Sequence, residues 1–208
     1  MNFHAGVLRP VQAKVLRQLS PATSDLQFYL GGGTALAIHF GHRHSVDLDF
    51  FTSGKLDPLS LFRELGHRRI SLKQEETESG TLRGIVSGVP VSFMEYEYRM
   101  LRSPLEWAEL GLRIAAPEDL AAMKLAAIVQ RGSKKDFVDI YALIREGYAL
   151  TELLRLYQEK FQFSEIGHVI FALAYFDDAN RERLPKMIWK ADWKTIRRTL
   201  QKRLDEMV

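Results

Sequence analysis

The chain has no cysteine among its 208 residues. That excludes disulfide cross-links and thiolate metal sites, and it fits a reducing compartment. Long apolar runs are also missing, since no stretch approaches the length that spans a bilayer. The opening residues, MNFHAGVLRPVQAKVL, contain no basic segment leading into an apolar one, so a soluble, cytoplasmic protein without membrane contact is expected. Net charge is scarce, at +3, which makes the whole-molecule field a poor guide to partners. Internal repeats, low-complexity tracts, a P-loop signature and a Gly-x-Ser-x-Gly elbow are absent as well. Solenoid architectures, Walker-type nucleotide binding and serine-hydrolase chemistry are therefore set aside.

What is present is an ordinary apolar share of 46%, enough for a buried core without staples. Charge is unevenly placed: between Arg181 and Arg203, lysines and arginines face only Glu182 and Asp192. The last tenth of the chain is locally basic.

Pattern and punctuation predict alternating elements. A first helix is expected from Leu8 to Leu19, ended by Ser20-Pro21, then a short strand at QFYL and a helix capped by Thr34 and running to Phe40. SVDLDFF reads as a strand, Pro58–Leu65 as a helix closed by Gly66, and RRISLKQ as a strand. TLRGIV and VPVSFMEYEY flank Ser87-Gly88, a two-residue hairpin connection. After Ala116 the period becomes helical. Pro117, with Glu118 and Asp119 in the first turn and Gly132 past the end, brackets one helix. Ser133 with Asp136 resembles a capping box opening a second, and helices near 150–161, 164–176 and 192–206 follow. Two parts are expected, 1–115 α/β and 116–208 helical.

Within this pattern, Gly31-Gly32-Gly33 lies shortly before Asp47-Leu48-Asp49. Residues two apart on a strand face the same way, so Asp47 and Asp49 are expected to share a face, with Val46, Leu48 and Phe50 on the other. Two carboxylates whose Cα atoms lie roughly 6 to 7 Å apart repel one another and ionise together most easily beside a divalent cation. Hard oxygen donors suit Mg²⁺, which keeps waters and takes the rest of its shell from phosphates. A glycine turn lets backbone N–H groups and a helix N-terminus approach a phosphate, and Thr34 adds a hydroxyl. Taken alone, each signal also fits a solvated strand edge and a plain turn.

Farther along, Lys124 and Arg131 fall on one helical stripe. They could face a triphosphate or extend to solvent at the helix margin, and Asp136 could serve only as a helix-start acid.

LGGGTALAIHFGHRHSVDLDFF, with Arg43 and Ser45 ahead of the aspartates, resembles the AbiEii/AbiGii-type toxin family of the DNA polymerase beta-like nucleotidyltransferase superfamily. EDLAAMKLAAIVQRGSKKDFVDIYAL is similar to that family's downstream helical motif, so the resemblance covers residues 27–145. It implies an α+β fold: a nucleotidyltransferase-like mixed β-sheet with flanking helices, followed by a C-terminal helical bundle. It implies that Gly32, Gly33 and Thr34 contact a triphosphate, that Arg43 and Ser45 support phosphate or loop, and that Asp47 and Asp49 hold Mg²⁺. By the same resemblance Lys124 is a nucleotide-facing cation accompanied by Arg131, and Asp136, with Asp139 as a further candidate, completes the site. The implied activity is nucleotidyl transfer from a nucleoside triphosphate to an RNA or protein hydroxyl, the end of a transfer RNA being one acceptor, in a toxin with a cognate antitoxin.

The superfamily supplies a third carboxylate from a strand beside the Asp-x-Asp strand, and the matching position here is Ser92. Glu95 lies at an odd offset from it and so on the opposite strand face unless a bulge intervenes. A catalytically weak nucleotide- or partner-binding module with the same fold is the alternative this raises. His39, His42 and His44 read as a solvated loop, lacking the partners of a transition-metal site. Trp189, Trp193, Ile196, Leu200 and Leu204 recur at helical spacing as a docking stripe, leaving Lys190, Lys194, Arg197, Arg198 and Lys202 as a basic face for solvent, RNA or an acidic partner.

Overall fold

The computed structural model describes residues 3–207. In chain order the elements are α1 Pro10–Asp25, β1 Tyr29–Leu30, α2 Gly32–Phe40, β2 Leu48–Thr52, α3 Pro58–His67, β3 Leu72–Glu78, β4 Thr81–Val86, β5 Val89–Glu95, β6 Leu105–Trp107 and β7 Leu112–Ile114. The helices α4 Pro117–Arg131, α5 Lys134–Arg145, α6 Leu150–Phe161, α7 Gly167–Ala174, α8 Asp177–Arg181 and α9 Trp193–Asp205 follow. No helix among the described residues is long and apolar enough to cross a membrane.

The strands form one mixed sheet in the order β3-β4-β5-β2-β1-β7-β6, giving the α+β architecture expected from the sequence. Antiparallel pairs make the two outer ribbons, while β2 runs parallel to β5 and β1 parallel to β7. Strand β4 alternates buried and half-buried residues, placing Leu82, Gly84 and Val86 on the core face. Ser87 and Gly88 both have positive φ, 50° and 79°, the backbone of a primed hairpin turn whose twist matches the strands. The core joins strand residues such as Leu48, Phe50 and Phe93 to Leu36 and Ile38 of α2, then to Leu120, Leu125 and Phe137 of the helices.

Helix α4 is central to the helical half: it packs on α2, α5, α6 and α7. Pro117 opens it and Gly132, at φ 55°, closes it in the left-handed conformation, as the flanking residues dictate.

The sequence reading contains neither β6 nor β7, places the β3 strand at RRISLKQ rather than at Leu72–Glu78, and runs one helix over 164–176 where α7 covers Gly167–Ala174 and α8 follows. Three further points have a physical reason. Helix α1 does not stop before Pro21 but runs through it to Asp25. The proline removes only the donor to the exposed Arg17 carbonyl, and burial of Leu19 and Ala22 on the core side outweighs that loss. Ser133 is the N-cap of α5 but forms no capping bond; its hydroxyl donates to Glu182 at 2.8 Å instead. Trp189 precedes α9 rather than extending its stripe, and its ring packs edge-on against His42.

Candidate functional site: a glycine turn, an acidic pair and a buried ion network

The turn between β1 and α2 presses backbone against charged side chains. Gly32 has φ +64°, and a Cβ there would stand 2.5 Å from Asp49 Oδ2. A Cβ at Gly33 would collide with Arg43 Nη2. Glycine is required at both positions so that the turn can lie against a carboxylate and a guanidinium. Gly31 N–H donates to the Asp49 carbonyl at 2.8 Å, fixing the turn to β2. Helix α2 begins at Gly32, with Gly31 as N-cap and no capping side chain, which leaves its first N–H groups as a positively polarised end.

Thr34 corrects the sequence reading. It is not the N-cap but a buried first-turn residue whose hydroxyl donates to the Asp47 carbonyl. Its oxygen is thus spent on holding the Asp47 loop, and it is not presented to a phosphate.

Asp49 lies in β2, whereas Asp47 immediately precedes the strand rather than sitting within it. The two are close enough that Asp49 is pushed above the usual carboxylate range, first by burial and then by the Asp47 charge; Lys124, Lys135 and the Ser92 hydroxyl temper the rise. Neither carboxylate forms an ion pair among the described residues. Two adjacent acids under mutual repulsion and without a cationic partner are the donor set a divalent cation relieves. No group of three or more His, Cys, Asp or Glu suited to a metal occurs among the described residues. Asp47 and Asp49 could hold a divalent cation that takes the rest of its shell from phosphate oxygens and water.

Ser92 pairs in register with Asp49 across the parallel β2–β5 ladder. Glu95 is in register with Thr52 and takes Lys55 Nζ at 2.7 Å and Leu56 N–H at 3.0 Å. An odd offset therefore does turn it to the other face.

Behind the acidic pair lies a buried ion network. Arg43 grips Asp139 with two bonds, Nε to Oδ1 at 2.7 Å and Nη2 to Oδ2 at 2.8 Å. Lys124 Nζ stands 2.8 Å from both Asp136 Oδ1 and Asp139 Oδ2, and Arg131 bonds Asp136 at 2.9 and 3.1 Å. Burial alone would raise Asp139, but Arg43 and Lys124 outweigh it and hold the carboxyl well below its usual range. Burial likewise opposes the Lys124 charge, and Asp139 and Asp136 overcome it. Lys124 is neither at the solvent margin nor open to a ligand: it is 5% exposed with two carboxylate partners. Asp136 is no mere helix-start acid, since it joins Lys124 to Arg131, and Arg131 stays half open to solvent.

The histidines are likewise not a solvated loop. His42 Nε2 donates to Asp139 Oδ1 at 2.8 Å, and its Nδ1 has no partner among the described residues, which fits a neutral ring protonated on Nε2. His39 bonds the Ala115 carbonyl and His44 the Val7 carbonyl, both at 2.9 Å.

Two contributors escaped the sequence reading. Buried Gln12 of α1 donates from Nε2 to the carbonyls of Ser45 and Val46 at 3.0 and 3.1 Å, fixing the loop ahead of Asp47. Exposed Lys135, the second residue of α5, sends its field onto Asp49. Its place in SKKD, beside the motif acid, was the available signal.

Comparison with known proteins identifies the family and the fold. The family model described as nucleotidyl transferase AbiEii toxin, Type IV TA system, matches residues 14–80 and 84–206. An uncharacterised protein of Aquifex aeolicus (strain VF5) is 38% identical over 178 residues, 84% of this chain and 86% of that one. Among solved structures, MenT4, a nucleotidyltransferase toxin of Mycobacterium tuberculosis H37Rv, superposes with TM-score 0.57 at 15% identity over 93% of this chain and 82% of its own. A candidate nucleotidyltransferase from H. pylori gives 0.54 at 16% identity over 97% and 99%. At these identities the two structures establish likeness of fold.

Proposed function

This chain belongs to the AbiEii nucleotidyltransferase toxin family and is a nucleotidyl transfer enzyme, and from that premise we propose a Mg²⁺-dependent transfer from a nucleoside triphosphate to a hydroxyl of RNA. The observation that carries the reading is the unpaired acidic couple, Asp47 and Asp49, set against an uncapped helix start at Gly32-Gly33. The α2 N–H groups orient the phosphates, and Asp47 and Asp49 hold the cation. When bound, the cation neutralises charge on the phosphoryl oxygens. Arg43 and Ser45 form the adjoining wall. Asp139, Asp136, Lys124 and Arg131 position that wall from behind, and Lys124 contributes field rather than contact.

The acceptor oxygen bonds to the α-phosphorus, the bond from that phosphorus to the bridging oxygen breaks, and pyrophosphate leaves with the electron pair. Ser92 does not take the acceptor's proton at neutral pH, so the proton leaves to water. Helix α9, with Lys194, Arg197, Arg198 and Lys202 exposed, supports an RNA acceptor such as a transfer RNA end. A cytoplasmic location and a cognate antitoxin belong to the same reading.

The test is incubation with each labelled triphosphate, Mg²⁺ and total RNA. Label entering RNA with release of pyrophosphate supports the proposal, and label entering protein instead moves the acceptor class. Ser92 specifically favours a second reading, a nucleotide-binding module with little turnover. Tight triphosphate binding without transfer to any acceptor would select it.

A further inference from the structure

Beside Asp47 a cavity of about 370 Å³ is lined by Arg9, Arg43, Ser45, Asp47, Lys135 and Lys186, among others. Arg43 is neutralised by Asp139. Arg9, Lys135 and Lys186 are exposed and have no carboxylate partner among the described residues. Three cations from distant parts of the chain, the α1 N-cap, the first turn of α5 and the segment between α8 and α9, thus line one cavity. Three exposed cations on the wall of one cavity make it attractive to a polyanion.

The placement of Lys186 is built in. His44 N–H donates to the Lys186 carbonyl at 2.8 Å, Arg43 bridges to Met187, and the N–H groups of Ile188 and Trp189 donate to the His42 carbonyl at 2.9 and 3.1 Å. Farther back, Glu182 accepts from Ser133 and from the Lys134 N–H at 2.8 and 2.9 Å. The segment is therefore strapped along the loop that carries Arg43, Ser45 and Asp47, and Gly33 at the start of α2 faces the same Arg43 and Ser45.

We propose that Arg9, Lys135 and Lys186 form a cradle for the pyrophosphate half of the bound triphosphate, making the segment between α8 and α9 part of the catalytic centre. This rests on the nucleotidyl-transfer reading. As the bond between α-phosphorus and bridging oxygen breaks, the electron pair moves onto pyrophosphate, and the cradle offsets that added charge. A site built this way counts phosphates: triphosphate and pyrophosphate engage it, and a monophosphate does not.

Calorimetry with Mg²⁺ tests it, using ATP, pyrophosphate and AMP, or the triphosphate and monophosphate of whichever base wild type binds, against wild type, Lys135→Ala, Lys186→Ala and Arg9→Ala, with Lys73→Ala on the edge strand β3 as control. Each cradle variant should weaken ATP and pyrophosphate about 10-fold and leave AMP and the melting temperature unchanged, while Lys186→Arg retains affinity. Equal losses in Lys73→Ala would mean general polyanion attraction and overturn the cradle. So would unchanged ATP affinity in all three variants, a result that leaves transfer itself intact if wild type still labels an acceptor. Wild type binding none of ATP, GTP, CTP and UTP would overturn both readings together.

Discussion

Replacing Asp139 by asparagine tests the buried network at its centre. The carboxylate is fully buried and receives Arg43 Nε, Arg43 Nη2, Lys124 Nζ and His42 Nε2 at 2.7 to 2.8 Å. Asparagine keeps the shape but removes the charge, and its amide nitrogen turns N–H groups toward donors. Arg43, at 3% exposure, then has no carboxylate to offset its desolvation, and Lys124 retains only Asp136. Breaking a buried pair from one side costs about 3 to 5 kcal/mol. For a chain of this size that corresponds to a melting temperature lower by roughly 6 to 20 °C. Urea unfolding gives the free energy directly, provided the slope with denaturant is unchanged. A cycle with Arg43→Met should show coupling above about 1 kcal/mol, because the double variant removes the stranded cation. A loss below about 1 kcal/mol for Asp139→Asn, with no coupling, would refute the argument that this network is held together by mutual neutralisation.

Asp47→Asn should abolish the Mg²⁺ dependence of triphosphate binding measured by calorimetry; equal affinity with and without Mg²⁺ in wild type would remove the two-aspartate site. Because Ser92 lies in register with Asp49, Ser92→Asp adds a third acid to the pair. It should lower stability without metal, recover it with Mg²⁺, and raise transfer by about 10²- to 10⁴-fold, whereas Glu95→Gln leaves turnover near wild type. If Glu95→Gln stops the reaction and Ser92→Asp changes nothing, the β2–β5 register is wrong. Acid should destabilise the protein in two stages. Burial lowers the His39 and His42 values below 6.5, so the unfolded chain takes up their protons first and stability falls as pH drops below about that value. Asp136 and Asp139, whose folded values stand below 3.8, contribute stability that disappears only on further acidification. Urea midpoints that rise on going from about pH 7 to about pH 5 would contradict buried neutral histidines.

Short-range pattern determined much of this protein. Alternation in TLRGIV and VPVSF, with Ser87-Gly88 between them, was sufficient for the hairpin, and Pro117 and Gly132 bracketed α4, because those signals act within a few residues. The odd spacing of Ser92 and Glu95 settled which face each takes. Long-range pairing was not legible. Arg43 and Asp139 are 96 positions apart, and nothing local distinguishes a lysine at a helix margin from Lys124 held between two acids. Thr34 looked like a cap because its partner, the Asp47 carbonyl, is a backbone atom supplied by a neighbouring loop. Pro21 looked like a stop because local propensity ignores what the next turn buries. The strap that carries Lys186 uses backbone bonds to the residues around Arg43, and side-chain identity encodes those only weakly. Residue types and their periods thus determined most of the elements, though not β6, β7 or α8, and the nearness of Asp47 to Asp49, which lies in β2 while Asp47 precedes it. Tertiary packing decided which charges neutralise one another and which stay unpaired, because that depends on distances between segments that sequence order does not contain.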